Sequence, residues 1–335
     1  MNEQKKIRSG KFLFLYWILI LILLTLLVTA SYTWFSISRT PRVSDIGLFI
    51  NAPTGMVISK APQGAEWVHQ LDFRDLVSET APLRPVSWSE EKQCFYAAQY
   101  GADGRQTGEW IRLSDGINAN RDDVYGYYIK ITFYATTDTD VQVSLTDAMA
   151  VEEGISGSGT YLIGTPVWDS DNLRHNDGGK GSQSAMRIGI RITPMEDGAE
   201  QPGLSNFYIY EPNSDTHIDG TEGYIPTPSI DGTPSLVPED RIIRQTTTTW
   251  TEAEVVQRDT VIKNMGQFTT DTALFQLKAM QMVRIDLYVW LEGQDVDCDN
   301  RIGHKAEISA NMQFFADPSG QSGMTPIPTG PDDEE

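Results

Sequence analysis

The sequence contains little cysteine and little histidine, and this scarcity excludes several kinds of site. Its only cysteines are Cys94 and Cys298, too few for a disulfide scaffold and too far apart in the chain for a zinc knuckle. The histidines are His69, His175, His217 and His304. None of them forms a His-Glu-x-x-His or His-x-His pattern, and the chain has no Gly-x-Ser-x-Gly elbow, Walker loop or dinucleotide-binding Gly-x-Gly-x-x-Gly motif. The sequence therefore suggests no catalytic residue and no cofactor site.

Positive charge is also scarce. The chain has 26 Lys and Arg residues against 46 Asp and Glu residues, which gives a formal net charge of −20 at pH 7. Lys5, Lys6, Arg8 and Lys11 all lie near the N-terminus, so the rest of the chain is more acidic still. Such a chain is repelled by nucleic acid and by anionic lipid headgroups. We therefore expect no nucleic-acid partner and attribute the acidity to solubility.

An uncharged segment follows these basic residues. Residues 12–30 are interrupted by only two polar residues, Thr25 and Thr29, and the preceding cluster predicts an orientation with the C-terminal part exported. The length favours a membrane anchor, whereas Val28-Thr29-Ala30 is a small-residue pattern that predicts signal-peptidase cleavage between Ala30 and Ser31. Residues 1–30 are thus a signal peptide or a signal anchor. The protein is expected at the cell surface or outside the cell, and membrane-bound if the segment is retained.

The two cysteines are candidates for one long-range disulfide in an exported chain. The alternative is two separate thiols, because the sequence cannot show whether the Cα atoms of Cys94 and Cys298 lie within bonding reach. Both interpretations stay open at this level.

Alternation of apolar and polar residues with a period of two predicts many β-strands. In the clearest case, 282–292, one face carries Val283, Ile285, Leu287, Val289 and Leu291, and the other carries Arg284, Asp286, Tyr288 and Trp290. Further strands are predicted at 46–51, 55–60, 93–100, 128–135, 140–146, 185–193, 207–210, 273–277 and 306–315. No comparable amphipathic helical run follows residue 30. The pattern favours an all-β fold, an antiparallel, jelly-roll-like β-sandwich preceded by an N-terminal hydrophobic helix.

Composition predicts the domain organisation. Residues 31–316 are interpreted as a single exported domain, because strong strand patterns lie on both sides of the Pro-, Gly-, Ser- and Asp-rich stretch near 211–240, which is typical of an insertion or surface loop. Residues 317–335 have the composition of a disordered acidic tail.

One group of acidic residues has the spacing of calcium ligands. Asp295, Asp297 and Asp299 alternate like the first three ligands of a calcium-binding loop. Asn300 occupies the position that needs glycine, and Ala306 occupies the twelfth, so the stretch is not an EF-hand. The competing interpretation is a solvated acidic turn.

Two short stretches carry a resemblance to a known family. "SYTWFS" at 31–36 follows the basic and apolar segments, and "VWLEGQDVDCDN" at 289–300 precedes a predicted strand that ends in "MQFFA". These features resemble the TasA/camelysin-like exported proteins of the Gram-positive cell surface and biofilm matrix. The resemblance covers about the first fifty residues and the last fifty before the tail.

This resemblance implies a jelly-roll protein that polymerises into extracellular fibres, in which the N-terminal strand of one subunit completes the sheet of its neighbour. After cleavage at Ala30, the donor residues would be Tyr32, Trp34 and Phe35, with Ile37 beyond them. Alternatively, the same aromatic side chains form a belt at the membrane interface, or they belong to an ordinary intramolecular strand. The peptidase label of camelysin-like proteins is not carried over, because no metal motif accompanies it.

The leading interpretation is a non-enzymatic extracellular structural protein of the surface or matrix, which associates with itself or with other surface proteins. The alternative is a membrane-tethered binding module or adhesin that recognises a glycan or a protein through exposed aromatic side chains. The candidate residues are Trp88, Trp110, Trp168 and Trp250. Core packing is the competing interpretation of these tryptophans. A hydrolase with dispersed carboxylates is a third hypothesis.

Overall fold

A computed structural model describes residues 16–26, 43–52, 55–62, 66–73, 83–100, 106–113, 126–146, 159–164, 185–211, 241–244, 273–293, 295, 298 and 306–318. This part of the chain is mostly β-structure, arranged in three sheets, with one short α-helix at residues 16–26. The mainly β fold that the alternation predicts is therefore confirmed.

The strands in the first half of the chain are β1 (Val43–Asn51), β2 (Val57–Ser59), β3 (Gln70–Phe73), β4 (Val86–Ser89), β5 (Cys94–Tyr100), β6 (Gln106–Arg112), β7 (Tyr128–Thr136), β8 (Val141–Leu145) and β9 (Tyr161–Gly164). Those in the second half are β10 (Met186–Glu196), β11 (Ala199–Glu200), β12 (Asn206–Glu211), β13 (Ile242–Arg244), β14 (Ala273–Leu277), β15 (Met282–Leu291) and β16 (Ala306–Asp317). Every predicted strand is present. The sequence did not predict β3, β4, β6, β9, β11 and β13, which are mostly short.

A six-stranded sheet brings together the first and last described strands. Its order is β14-β8-β16-β1-β3, and β9 also pairs with β16. β1 runs parallel to β16, in a register that joins Val43 to Ala306 and Leu48 to Ala310. The other pairs of this sheet are antiparallel. The two ends of the described β-structure therefore meet inside one sheet.

A seven-stranded sheet contains the longest ladder. Its order is β13-β12-β10-β15-β7-β2, with β11 beside β10. β10 and β15 pair antiparallel from Met186 with Leu291 to Met195 with Met282, and β7 continues the ladder on the other side of β15. β10, β15 and β7 therefore form its centre.

The main hydrophobic cluster takes side chains from both of these sheets. On β15 it contains the five residues predicted for the apolar face, and all five are fully buried. The alternation also predicts inward residues on β7 and β10, and all of them are buried in the same cluster: Ile129, Ile131, Phe133, Met186, Ile188, Ile190 and Ile192. Burial of this face is what period-two alternation predicts, because successive side chains of a strand point to opposite faces of the sheet.

The second face of β15 is covered as well, which the sequence did not indicate. A three-stranded sheet, β4-β5-β6, lies over it. Its rings Trp88 and Phe95 pack with Phe207, Tyr288 and Trp290 of the seven-stranded sheet. We call these five rings the outer aromatic cluster. The amphipathic face predicted for β15 is therefore partly a second core, since large rings stabilise the fold most when water is excluded from them.

The structure describes two of the four tryptophans that are candidates for sugar stacking. Trp88 is only 2% exposed, so core packing is the right interpretation for it, and direct sugar stacking is wrong. Trp110 on β6 is half-buried. Trp168 and Trp250 lie outside the described residues.

The predicted N-terminal segment is described only in part. Its helix, residues 16–26, exposes apolar side chains such as Trp17 and Leu21. Among the described residues, no helix has both the length and the apolar character needed to cross a membrane. The predicted cleavage site, Ala30 and Ser31, and the residues Tyr32, Trp34, Phe35 and Ile37 lie outside the described residues, as do most of 211–240 and of the tail.

Candidate polar cleft on the outer sheet face

A cleft of about 400 Å³ opens on the outer face of the seven-stranded sheet, beside the outer aromatic cluster. Its lining includes the cationic side chains of Lys130, Arg191, Arg241 and Arg284. The carboxylates of Glu90, Glu200 and Asp286 also line it. This volume falls in the range of small-molecule sites, which is roughly 300–1,000 Å³.

Strand register places the floor of the cleft. Asp286 on β15 lies opposite Thr132 on β7 and Arg191 on β10. Arg191 in turn lies opposite Phe207 on β12. Directly paired residues project from the same face of a sheet, so these four form one row across four hydrogen-bonded strands. The row therefore rests on regular sheet structure, not on a loop.

Asp286 is the centre of the charge network in the cleft. Its carboxylate is 4% exposed and accepts a hydrogen bond of 2.6 Å from Thr132 Oγ1. Arg284 donates to the same oxygen from Nε, at 3.0 Å, and Lys130 Nζ lies 3.2 Å from the other oxygen. Asp286 is thus held by two cations and a hydroxyl group.

Arg284 links this centre to the rim. Its Nη1 atom lies 2.5 Å from a carboxylate oxygen of Glu200. Burial alone would lower the pKa of Arg284, but the hydrogen bond from Arg284 to Glu200 and the charge of Asp286 outweigh burial and raise the pKa. Arg284 is therefore a permanently charged side chain whose positive charge is shared between two carboxylates.

Arg191 has different surroundings from the other cations. The central carbon of its guanidinium group lies 5.3 Å from the ring centroid of Trp88, 5.4 Å from that of Phe207 and 5.5 Å from that of Tyr288. The three ring faces attract the cation through their quadrupoles. Its side-chain hydrogen bond is to the amide oxygen of Gln93, at 3.4 Å. Within the described residues, Arg191 forms no ion pair with a carboxylate.

The cleft is locally positive in an acidic protein. Its lining has four cationic side chains and three carboxylates, an excess of one positive charge, whereas the whole chain carries −20. Arg241 pairs with Glu90 at 3.4 Å. Because Lys130 and Arg284 share Asp286, the remaining positive charge is concentrated at Arg191.

Gly189 leaves room for two rings of the outer aromatic cluster, Phe207 and Trp290. A Cβ atom at this position would lie 2.6 Å from Cζ of Phe207 and 3.1 Å from Cζ3 of Trp290. Such distances are shorter than van der Waals contact, so the two rings occupy the space that any larger residue would need. Glycine therefore allows the outer aromatic cluster to lie directly on the backbone of β10.

A second polar cluster is fully buried at the far end of the same face. Arg187 is completely buried. Its Nη2 atom lies 2.5 Å from Asp295 Oδ2 and 3.4 Å from Glu211 Oε1, and its Nη1 atom donates to the carbonyl oxygen of Met186 at 2.8 Å. These contacts give the buried cation two carboxylate partners, and they tie the chain after β15 to β10 and β12.

Glu292 joins the small sheet to the seven-stranded sheet. Its carboxylate accepts a 2.9 Å hydrogen bond from Trp290 Nε1 and a second one from the Ser87 hydroxyl on β4. A backbone bridge pairs Val86 with Glu292, and Gly293 N donates to Val86 O at 2.9 Å. We interpret this cluster as structural.

The residues proposed as calcium ligands are described only in part. Asp295 is buried and its carboxylate meets Arg187, while Asp297 and Asp299 lie outside the described residues. Within the described ranges, no group of three His, Cys, Asp or Glu side chains is arranged to hold a metal ion. A calcium site in this stretch stays a prediction, and Asp295 already has a cationic partner.

The two cysteines are not joined by a disulfide. Both Cys94 and Cys298 are described and buried. Cys298 packs in the main hydrophobic cluster, whereas Cys94 lies at the start of β5 in the three-stranded sheet. The structure therefore corresponds to the alternative of two separate thiols.

Sequence reasoning missed the cleft, although part of its signal was visible. The alternation placed Arg284 and Asp286 on the same face of β15, and the same pattern in 185–193 places Arg191 on the polar face of β10. The sequence does not reveal that residues near 130, 191 and 286 are neighbours. Comparisons with protein-family models, curated proteins and solved structures give no match to this chain, so its function must be inferred from this geometry.

Proposed function

We propose that the chain is an exported, non-enzymatic surface protein that binds a ligand in the polar cleft. In this proposal the two larger sheets form the layers of a β-sandwich, and the cleft lies on the outer face of one layer. The N-terminal segment directs export and, if retained, holds the protein at the membrane. The main support is the cleft itself, since it combines a suitable volume with several polar groups that converge on one space.

The construction of the cleft favours binding. Its central residues project from four paired strands, and its cations are held by carboxylates or by aromatic rings. Groups fixed before the ligand arrives lose little conformational freedom on binding, so more of the interaction energy contributes to affinity. The lining also offers the hydroxyl groups of Thr193 and Ser205, which lie 2.9 Å apart. These groups suit recognition of a polar ligand.

A cleft-blocking substitution tests the proposal. Ser205 lines the cleft, so Ser205→Trp should fill part of the space, while Thr139→Trp introduces the same side chain at an exposed turn position between β7 and β8. Full-length protein in mild detergent would be screened on an array of neutral and acidic glycans. We expect the Thr139→Trp variant to bind like the unmodified protein and the Ser205→Trp variant to lose binding. Equal binding by both variants, or none by the unmodified protein, would contradict a cleft-based binding function.

The matrix-fibre hypothesis remains a second candidate because the six-stranded sheet has two edges. In the described part of the chain, β14 and β3 each pair with a strand on one side only. An edge strand presents unpaired backbone groups to which an extended segment from another subunit can add. The proposed donor is residues 31–37.

The fibre hypothesis has its own test. We expect a mature chain that begins at Ser31 and elutes in large assemblies, and we would check this by N-terminal sequencing, intact mass and size analysis of protein from the native producer. A chain that retains Met1 and is monomeric in detergent would contradict strand exchange through residues 31–37. That result would leave the binding proposal intact.

A further inference from the structure

We propose that the cleft recognises an acidic sugar, and that Arg191 binds the oxyanion group of that sugar. This inference rests on the proposed binding function and deepens it by naming the ligand class. The oxyanion is a carboxylate, a phosphate or a sulfate, which share the geometry that a guanidinium group binds.

The four cations of the cleft differ in how far carboxylates neutralise their charge. Lys130 and Arg284 converge on Asp286, and Arg284 also contacts Glu200. Arg241 contacts Glu90. Arg191 is the cation whose charge no carboxylate of the described residues neutralises. An anionic ligand would therefore be attracted most strongly to this point.

The aromatic rings beside Arg191 restrict the position of its side chain. The centroids of three rings lie 5.3–5.5 Å from its guanidinium carbon, and these rings are packed in the outer aromatic cluster. A guanidinium group presents its N–H donors in a rigid fork that matches a carboxylate or phosphate with two parallel hydrogen bonds. Such a group is also weakly hydrated, so little is lost when a ligand displaces its water. Arg191 is thus prepared for an oxyanion before the ligand binds.

The burial of the aromatic rings favours an acidic sugar over a neutral one. Neutral sugars stack on exposed aromatic faces, but Trp88, Phe207 and Tyr288 are only 2%, 3% and 6% exposed. Arg191 itself covers these rings on the cleft side. Recognition must therefore use charge and hydrogen bonds.

The polar lining of the cleft favours an acidic sugar over a simple anion. Glu90 and Glu200 line the cleft together with the Thr193 and Ser205 hydroxyl groups. The carboxylate and hydroxyl oxygens can accept hydrogen bonds from sugar hydroxyl groups, which a simple anion lacks. A molecule with one oxyanion and several hydroxyl groups matches both parts of the lining.

The test uses three sugars that share one ring size. Glucuronate, glucose 6-phosphate and glucose would be titrated into full-length protein in mild detergent, with binding followed by ligand-observed NMR. We expect both acidic sugars to bind and glucose to bind at least about tenfold more weakly. Binding of the acidic sugars should weaken when the salt concentration rises to about 0.5 M, because salt screens exposed charge.

Matched variants locate the interaction. Arg191→Gln removes the charge inside the cleft, and Arg112→Gln removes the same charge from an exposed position on β6. We expect Arg191→Gln to weaken binding of both acidic sugars by about tenfold or more, and Arg112→Gln to leave it unchanged. Arg191→Lys keeps the charge but not the fork, and it should give intermediate binding. If Arg191→Gln does not fold, Arg241→Gln at the rim also removes a positive charge from the cleft. We expect it to weaken binding of the acidic sugars by a smaller factor.

The outcomes separate this inference from the proposed function. Binding of only one acidic sugar, lost in Arg191→Gln, supports the inference and identifies the oxyanion as carboxylate or phosphate. Acidic sugars that bind the unmodified protein and Arg191→Gln equally well overturn it. Binding of neutral sugars alone, abolished by Ser205→Trp, also overturns it but leaves the cleft as a binding site. If no array ligand and no sugar binds, both proposals fall.

Discussion

Adding one methyl group at Gly189 tests whether the outer aromatic cluster packs as described. In Gly189→Ala the new Cβ would lie 2.6 and 2.9 Å from two atoms of the Phe207 ring and 3.1 Å from Trp290. Overpacking of this kind typically costs about 1–3 kcal/mol. The loss of backbone freedom in the unfolded chain offsets about 0.4–1 kcal/mol of it. We therefore expect Gly189→Ala to lower the free energy of unfolding by roughly 1 kcal/mol.

Chemical denaturation followed by tryptophan fluorescence measures this loss, and the chain supplies a control. Gly203 has no atom within 4 Å of its ideal Cβ position, so Gly203→Ala should leave stability unchanged or raise it slightly. Phe207→Leu removes the ring atoms nearest to Gly189, so in that background Gly189→Ala should cost less. The coupling free energy of this double-mutant cycle should be about 1 kcal/mol. Equal unfolding midpoints for Gly189→Ala and Gly203→Ala would refute the packing argument.

Three further predictions concern buried groups. Arg187→Met should cost about 3–5 kcal/mol because it leaves buried carboxylates without their cation; the double variant with Asp295→Leu should recover part of the loss in denaturant titrations, and full additivity would contradict the buried ion pair. Burial raises the pKa of Tyr210 above its ordinary value of 10.0, so ionisation of the unfolded chain should lower stability as the pH rises through about 10. Tyr210→Phe should flatten this alkaline decline, and an unchanged slope would argue against burial of the hydroxyl group. Alkylation of the denatured, unreduced protein should label both Cys94 and Cys298, whereas a mass without added label would indicate a disulfide.

Much of the strand content could be predicted from the sequence. Strands with strong alternation, such as β7, β10, β15 and β16, appear where the pattern places them, and the predicted apolar faces of β7, β10 and β15 lie in the main hydrophobic cluster. Short strands such as β13, which has three residues, were missed. A strand of that length has too few positions to show a period, and its pairing with β12 holds it in place.

The candidate site could not be predicted as a unit. The charged residues of β15 and β10 were visible on one face of each strand, but nothing local indicates that Asp286 lies opposite Arg191 and Thr132 on the neighbouring strands. The tryptophans gave a similarly incomplete signal. Trp88 is conspicuous in the sequence, and only the packing of the small sheet shows that it supports Arg191 instead of facing solvent.

The sequence by itself determined the properties that depend on residues close together in the chain or on overall composition. These are the alternating strands, the uncharged N-terminal segment and the strong negative charge. Tertiary structure decided which strands are covered on both faces. It also decided that Cys94 and Cys298 do not form a disulfide, and that residues 130, 191 and 286 line one cleft. The physical reason is the separation along the chain of the residues that interact. Alternation follows from the pleat of a single strand, whereas strand order and register depend on contacts between residues that lie far apart in the chain.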